Sequence, residues 1–295
     1  MTACPRERPA RTATQADATG RVAVRSLYRE VALHPKPGLV SPFDSGSHDD
    51  MDMATFFRSL FALRGYFRDI ARAGALAPPL PVLQALGISA EGAMLAATGG
   101  VNTHRGAIFN LGLLCAAAGL LHARGETPHA SALSRCVADT WGRDILASRP
   151  ADATVHGRSH GLVVARRHGT AGAREQAAAG FPDVIDAALP AYRDVLASGV
   201  DDAPRRAALQ ALFVLIARLD DSNLLWRGGR IGLDYAQGCA RTFLAAGGVL
   251  AADWEEHAAH AHRCFVARRL SPGGAADLLA VTLLMHDMAP AEPAA

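Results

Sequence analysis

The sequence predicts an all-α fold in a single multi-helix globular domain. Half of its 295 residues are hydrophobic but only 6% are aromatic. Alanine, the strongest helix former, is abundant, and alternating β-branched runs are scarce. Apolar residues recur three and four positions apart, which is the period of an amphipathic helix. No Ser-rich or Gly-rich linker divides the chain, so we expect one domain.

Ten segments show this helical period. They are residues 22–33, 53–73, 89–97, 105–123, 130–147, 182–197, 207–217, 232–245, 254–269 and 275–286. Asp50 or Asp52 is placed to cap the second segment, and Gly74 to end it. Ser271 and Pro272 precede the last segment as an N-cap and a first-turn proline do.

The ends of the chain lack the pattern. We predict a disordered tail over residues 1–20, an all-helical catalytic domain over residues 21–289, and a second tail over residues 290–295. The N-terminus has no apolar stretch of the kind that a secretory signal needs. The most apolar segment, residues 107–121, is shorter than a bilayer requires, so we predict no membrane span.

Charge and cysteine content exclude several classes of protein. Thirty basic and 28 acidic residues give a formal charge of +2, which offers no bulk attraction for nucleic acid or an anionic membrane. Five cysteines, odd in number and without CxxC spacing, indicate neither a disulfide framework nor a zinc site. A reducing, cytoplasmic location is expected.

Four polar stretches between the helices are candidates for chemistry. The first, residues 30–52, is stiffened by three prolines and carries Glu30, Lys36, His48 and Asp50. Lys36 is the only lysine among thirty basic residues, which suggests that a compact ammonium is needed there. The acidic oxygens suit Mg²⁺. The alternative is that these aspartates only cap the next helix.

The second stretch, GGVNTHRGAIF at residues 99–109, runs from a glycine turn into an apolar helix. Its backbone N–H groups and the Arg105 guanidinium suit a nucleotide phosphate, with Asn102, Thr103 and His104 beside them. The alternative is a plainly capped helix with His104 on the surface. The stretch lacks the GK[ST] ending of a Walker A loop, so P-loop chemistry is not indicated.

The remaining two stretches also precede helical segments. In DSNLLWRGG, residues 221–229, Asp221 could complete a metal site with Asp50, while Asn223 and Arg227 face substrate. In SPGGAAD, residues 271–277, a glycine approach leads to Asp277. Simple helix capping is the alternative for both.

Together these motifs resemble a known family. PKPGLV with GSHDDMD, GVNTHRGAIFNLGLLCAAAG, GAREQAAAGFPDV, DSNLLWRGG and SPGGAADLLAVTLL are similar to the triphosphoribosyl-dephospho-coenzyme A synthases that serve citrate lyase and malonate decarboxylase. The resemblance implies that C1 of the ATP ribose is joined to the 2′-hydroxyl of 3′-dephospho-coenzyme A and that adenine leaves. It implies ATP and 3′-dephospho-coenzyme A as substrates and a separate transferase that passes the product to a carrier protein.

Two positions depart from the family pattern. Ser41 stands where citrate-lyase members carry an aspartate, and Asp44 follows three residues later, which resembles the malonate-decarboxylase branch. Gln176 stands where a glutamate is usual, with Glu175 beside it.

The implied reaction passes through an oxocarbenium-like state, so it requires proton transfer at the nucleoside and charge neutralisation at the triphosphate. We expect Glu30 and His48 to act as catalytic groups, and Asp50 and Asp221 to hold Mg²⁺. Substrate binding is expected at Lys36, Asn102, Thr103, His104, Arg105, Asn223 and Arg227. A homodimer is a further expectation.

Two other functions fit some of the residues. His48-Asp49 and His286-Asp287 are doublets of the kind used by helical metal-dependent phosphohydrolases. A helical nucleotide-binding protein without catalysis would use the glycine approaches only as helix caps.

Overall fold

The computed structural model describes the backbone of residues 7–148 and 172–288, with side chains from residue 13 onward. Eleven α-helices and no strand lie in these residues. They are α1 (Glu7–Ala32), α2 (Met53–Gly74), α3 (Leu80–Thr98), α4 (Arg105–Arg124), α5 (Ala130–Ala147), α6 (Ala173–Ala178), α7 (Leu189–Ala197), α8 (Ala203–Arg218), α9 (Ser222–Ala245), α10 (Trp254–Ala267) and α11 (Gly273–Met288). A π-helical turn, Val184–Ala188, leads into α7, and a 3₁₀ turn, Gly248–Leu250, follows α9. The all-α single domain is confirmed.

The first helix corrects the predicted N-terminal boundary. Helix α1 begins at Glu7, so the expected tail to residue 20 is wrong from that point. Ala16 and Thr19 are buried, and Gly20 lies so close to α2 that a Cβ would stand 3.0 Å from the Arg68 nitrogen. Small side chains make this contact, and their weak hydrophobicity hides the helical period. Residues 1–6 and the C-terminal tail lie outside the described residues.

Two other helices start earlier than their apolar pattern indicates. Helix α3 begins at Leu80 behind Pro79, and α9 begins at Ser222. In α9 the double glycine does not end the helix. Gly229 adopts a left-handed conformation (φ 60°) and kinks the helix, which then continues to Ala245. The short helix α6 has no predicted counterpart.

Helix α4 is the centre of the core, because it packs against α1, α2, α3, α5 and α11. Its crossing with α2 depends on glycine. A Cβ at Gly119 would lie 1.9 Å from the Ala71 carbonyl oxygen, and one at Gly74 would lie 2.1 Å from the Ala116 carbonyl oxygen. The two backbones therefore touch without intervening side chains.

Helices α3 and α4 are both long and apolar enough to cross a bilayer by length and composition. For α4, 78% of the most apolar window is buried inside the protein, so its hydrophobicity serves the core. For α3 the buried share is only 22%, and Val82 and Ile88 are exposed.

Helices α1, α4 and α11 pack on one another. The C-terminal end of α1 therefore meets the N-terminal ends of α4 and α11, and α9 begins beside α11 through a contact described below. The polar stretches identified in the sequence lie at these ends.

Candidate active site

The loop between α1 and α2 is fixed against the C-terminal end of α10. The Ser47 hydroxyl donates to the Leu270 carbonyl oxygen at 2.6 Å, and His262 Nδ1 lies 2.6 Å from the Lys36 carbonyl oxygen. Gly38, at φ 64°, touches the Leu270 carbonyl so closely that a Cβ would stand 2.0 Å from its oxygen. The rigid loop expected from its prolines is thus anchored at several points.

This loop carries Lys36 into the interior. The side chain is 1% exposed, and its ammonium donates to Glu30 Oε1 at 2.7 Å and to the Glu30 carbonyl oxygen at 2.8 Å. Burial lowers the pKa of Lys36, and the Glu30 charge opposes that shift. Glu30 is itself only 5% exposed. The structure therefore pairs Lys36 with Glu30 instead of presenting it to a phosphate on the surface.

His104 is buried at the start of α4, not on the surface. Its Nδ1 lies 2.6 Å from the Ser59 hydroxyl of α2, whereas its Nε2 has no hydrogen-bond partner. Burial, and after it the Lys36 charge, lowers the pKa of His104 to about 3. The imidazole is therefore neutral at physiological pH, with one ring nitrogen left over.

The neighbours of His104 serve α4. The Asn102 side-chain oxygen accepts the Arg105 backbone N–H at 3.1 Å, which is an N-terminal capping bond. Arg105 pairs with Glu91 of α3 through its Nε at 2.6 Å, so the predicted phosphate fork already has an anionic partner. The Thr103 hydroxyl is buried and has no partner.

Asp221 caps α9 and also bonds to α11. Its Oδ1 accepts the Asn223 N–H at 2.8 Å, and its Oδ2 accepts the Ala275 N–H at 2.9 Å. The side chain is buried, which raises its pKa, while these backbone bonds oppose the shift. The Asn223 amide lies beside Gly273, where a Cβ would stand 2.6 Å from Nδ2.

Asp277 makes the corresponding link between α11 and α4. It interacts with the Ala107 backbone N–H, and Gly106 is so close that a Cβ there would lie 1.9 Å from Asp277 Oδ2. Burial raises the pKa of Asp277 well above its usual value, and the charges of Glu30 and Asp221 add to this. The two carboxylates thus join the N-terminal ends of three helices, α9 to α11 and α11 to α4. We call this arrangement the three-helix junction.

His48 is held between two other elements. Its Nε2 lies 2.8 Å from the Ser271 hydroxyl, and its Nδ1 lies 3.0 Å from Arg227 Nη2. Because a guanidinium can only donate, Nδ1 must accept, so the ring proton is on Nε2 and is donated to Ser271. Burial and Arg227 lower the pKa of His48, and Asp50 opposes them. Both ring nitrogens are occupied, so His48 fits a loop-anchoring role better than the predicted catalytic one.

The predicted metal pair does not form a joint site. The Asp50 carboxylate is 62% exposed and lies 3.6 Å from His48 Nδ1, whereas both oxygens of the buried Asp221 accept backbone bonds. Across residues 7–148 and 172–288 there is no group of three or more His, Cys, Asp or Glu side chains arranged to hold a metal ion. The residues do not fit an all-protein magnesium site.

The phosphohydrolase doublets are also not brought together. Asp287, near the end of α11, pairs with Arg25 and Arg29, each at 3.0 Å. Asp49 is 86% exposed and pairs with Arg269 at 3.4 Å. No observation favours that function.

Gln176 and Glu175 make local bonds. Gln176 Nε2 donates to Asp183 at 2.6 Å, and Glu175 accepts the Gly172 N–H at 2.7 Å across the start of α6. Neither contacts the three-helix junction.

Sequence reasoning missed Ser59 and Asn110. Asn110 is 1% exposed, and neither its amide nitrogen nor its oxygen has a partner. A single asparagine inside an otherwise apolar helix was the available signal. Ser59 lies on an ordinary amphipathic helix, and only the fold brings it to His104.

The chain was then compared with known proteins. Residues 16–293 match the family model described as ATP:dephospho-CoA triphosphoribosyl transferase. The chain is 42% identical to a probable 2-(5″-triphosphoribosyl)-3′-dephosphocoenzyme-A synthase of Acinetobacter calcoaceticus, covering 88% of this chain and 87% of the relative. It is also 42% identical to the synthase of that description from Pectobacterium atrosepticum, covering 92% and 88%. No solved structure matches.

Proposed function

Because the chain belongs to the family of ATP:dephospho-CoA triphosphoribosyl transferases, we propose that the three-helix junction is where it transfers the triphosphoribosyl group. The observation that supports this site is the convergence of three helix N-termini beside the buried Glu30, with unpartnered polar atoms on α4. Helix N-termini attract anions. A nucleoside triphosphate needs such a positive end next to groups that act on its sugar and base.

The reaction requires little covalent chemistry from the protein. The bond between ribose C1′ and adenine N9 breaks, and its electron pair stays with adenine. The 2′-oxygen of dephospho-CoA bonds to C1′ and loses its proton, while adenine gains one. Carboxylates beside the sugar stabilise the positive charge that develops on it. Glu30 is the carboxylate of the junction that the Lys36 ammonium holds in place, so we assign it this role.

The triphosphate has cations near the junction. Arg227 donates to the carbonyl oxygens of Ser47 and Arg269, and the Arg269 side chain is 79% exposed. We place the phosphates on this side, next to the start of α9. The adenine base of ATP would then lie against the start of α4, next to the uncharged side chains of His104 and Asn110.

Mg²⁺ enters this proposal as part of the substrate, bound to the ATP triphosphate, because residues 7–148 and 172–288 offer no closed set of protein ligands. Replacing Asp50 with Asn should therefore leave the Mg²⁺ concentration dependence unchanged. A shift in apparent Mg²⁺ affinity in that variant would restore Asp50 as a ligand.

One incubation tests the reaction. The purified chain, ATP, Mg²⁺ and 3′-dephospho-CoA should yield free adenine and an enlarged coenzyme in equal amounts, measured by mass spectrometry. Release of phosphate without adenine would instead indicate a phosphohydrolase. Binding without turnover would indicate a non-catalytic protein.

We further propose that the product serves a malonate decarboxylase in the cytoplasm. The support is the loop after PKPGLV, where Ser41 replaces the aspartate of the citrate-lyase pattern and Asp44 pairs with His262 at 3.2 Å. Both branches make the same product, so the test is genetic. Deleting the coding gene should leave the malonate decarboxylase carrier without its prosthetic group. Loss from a citrate lyase carrier instead would overturn the assignment.

The product should reach the carrier protein through a separate transferase. Apo carrier mixed with this chain and both substrates is expected to stay unmodified until that transferase is added. Carrier modification by the chain alone would contradict this. A homodimer remains a prediction, which sedimentation equilibrium tests.

A further inference from the structure

We propose that Asp277 is the general acid that protonates adenine as it leaves. This inference rests on the proposed transferase reaction and assigns the proton that the reaction requires. Adenine is a poor leaving group as an anion, and a positioned acid contributes about 10²- to 10⁴-fold to such a step.

Asp277 is the carboxyl group of the junction with a free face. Asp221 uses both oxygens on backbone N–H groups and is 3% exposed, and Glu30 accepts the Lys36 ammonium and is 5% exposed. Some of the Asp277 residue surface is accessible although its carboxyl group is poorly solvated, and no side chain among the described residues donates a hydrogen bond to it. A ligand at the junction can therefore reach it.

Its surroundings favour the protonated form. The negative charges of Glu30 in α1 and of Asp221 at the start of α9 act on the Asp277 carboxyl group and disfavour its ionised form. A hydrogen bond from the Ala107 N–H of α4 opposes them. The Lys36 ammonium bonds to Glu30 and not to Asp277. Like charges in a poorly solvated site favour the neutral form of a carboxyl group, so Asp277 holds its proton to a higher pH than an ordinary aspartic acid does.

The two histidines near the junction have no proton available for transfer to adenine. His48 donates its ring proton to Ser271 and accepts from Arg227. His104, whose pKa is held at about 3, remains neutral and is 2% exposed.

A second, independent observation indicates where the base lies. Asn110 follows Gly106 by four residues and Ala107 by three, so all three share one face of α4. Asn110 has both amide atoms buried without partners, and the Nε2 of His104, the N-cap residue of α4 six residues earlier, is also unpartnered. A carboxamide can accept from the N6 amino group of adenine and donate to N1, which leaves N7 free. Asn110 is 1% exposed, so adenine would pair with it only once the start of α4 opens, and the purine ring would then lie next to Asp277.

The proton balance is complete. The carboxyl proton of Asp277 moves to an adenine ring nitrogen as the C1′–N9 bond breaks. The proton of the attacking 2′-hydroxyl is released to water. Water then returns one to the Asp277 carboxylate, since some of the residue surface is accessible.

The first test uses the unaltered enzyme with two substrates. With ATP, kcat should fall as pH rises through the pKa of Asp277, because the acid form is lost. ATP methylated at N7 releases a neutral base without protonation, so its kcat should show no such fall. The same alkaline fall with both substrates would overturn the proposal. Absence of adenine release from ATP would instead refute the proposed function itself.

Substitutions test whether the alkaline fall in kcat depends on Asp277. Asp277→Asn should reduce kcat at least 100-fold with ATP, with a small change in KM, and far less with the N7-methylated substrate. Asp234→Asn, on the exposed face of α9, is the matched control and should behave as wild type.

Two outcomes would overturn the assignment. One is wild-type kcat in Asp277→Asn, and the other is an equal loss with both leaving groups. If Asp277→Asn fails to fold, as judged by circular dichroism, the comparison of the two substrates on the unaltered enzyme decides the question.

Discussion

The buried pair of Lys36 and Glu30 links the stability of the fold to the chemistry of the site. Both groups are withdrawn from water, and each satisfies the other. Removing one partner leaves an uncompensated buried charge, which costs more than the pair contributes when it is intact. In the proposed site, the lone lysine would therefore act on the substrate only through Glu30.

We expect Lys36→Met to lower the free energy of unfolding by about 3–5 kcal/mol. The double variant Lys36→Met/Glu30→Leu should recover most of that loss, since no unpaired charge remains. It should still lack transferase activity, because no Glu30 carboxylate remains to stabilise the positive charge that develops on the sugar. Urea unfolding and adenine release measure the two effects. Equal instability of the single and double variants would contradict the pairing argument.

His104 should make stability depend on pH. Its folded pKa of about 3 lies below its ordinary value of 6.5, so between these values the unfolded chain binds a proton that the folded chain does not. The contribution of neutral His104 to the free energy of unfolding is complete above pH 6.5. It is lost as pH falls, by about 1.4 kcal/mol per pH unit.

The raised pKa values of Asp221 and Asp277 act in the opposite direction, so the test is a difference. Wild type should lose more stability than His104→Gln between pH 6.5 and 5 in urea titrations. Parallel curves for the two proteins would show that His104 becomes protonated in the folded state.

At the scale of helices, the close crossing of α2 and α4 should be the least tolerant contact. Gly119→Ala forces a methyl group onto the Ala71 carbonyl oxygen and should destabilise the protein by about 1–3 kcal/mol or more. Gly92→Ala in α3 is the matched control. A Cβ there meets nothing within 4 Å, so helix propensity should raise stability by roughly 0.5–1 kcal/mol. Thermal unfolding compares them.

Helix positions were predictable where punctuation and apolar period agreed. Helix α5 has the predicted bounds, and Asp52 caps α2 by accepting the Thr55 N–H at 2.8 Å. The start of α1 was not predictable from the sequence, because alanine and threonine bury little apolar area even when they are fully packed. The kinked start of α9 was hidden because a double glycine usually ends a helix.

For the site, the sequence identified the stretches but not the partners. It singled out Lys36, His104 and Asp221, and all three are buried near the junction. Whether Asp277 faces solvent or Glu30 depends on how α11 docks on α1 and α4, and local pattern carries no such information. The partner of Arg105 was equally unpredictable from local sequence, because Glu91 lies on another helix, α3.

For the whole molecule, ATP should protect three distant segments together. We expect Mg²⁺ and ATP, without the second substrate, to slow amide hydrogen exchange at the starts of α4, α9 and α11. Helix α7, away from the junction, is the internal control. At about 100 times Kd, linkage also predicts stabilisation of about 2.7 kcal/mol. Protection confined to one helix would contradict a shared site.

The three-helix junction has a consequence for synthesis of the protein on the ribosome. Its two linking carboxylates, Asp221 and Asp277, bond to amides of Ala275 and Ala107, and the first of these contacts already spans 54 residues. A nascent chain can form α4 and most of the core before α11 has left the exit tunnel. At that stage the chain has no folded α11, so Asp277, the proposed proton donor, cannot yet bond to the first turn of α4. Nascent chains that do not yet include α11 are thus unable to cleave the cell's ATP in the proposed way.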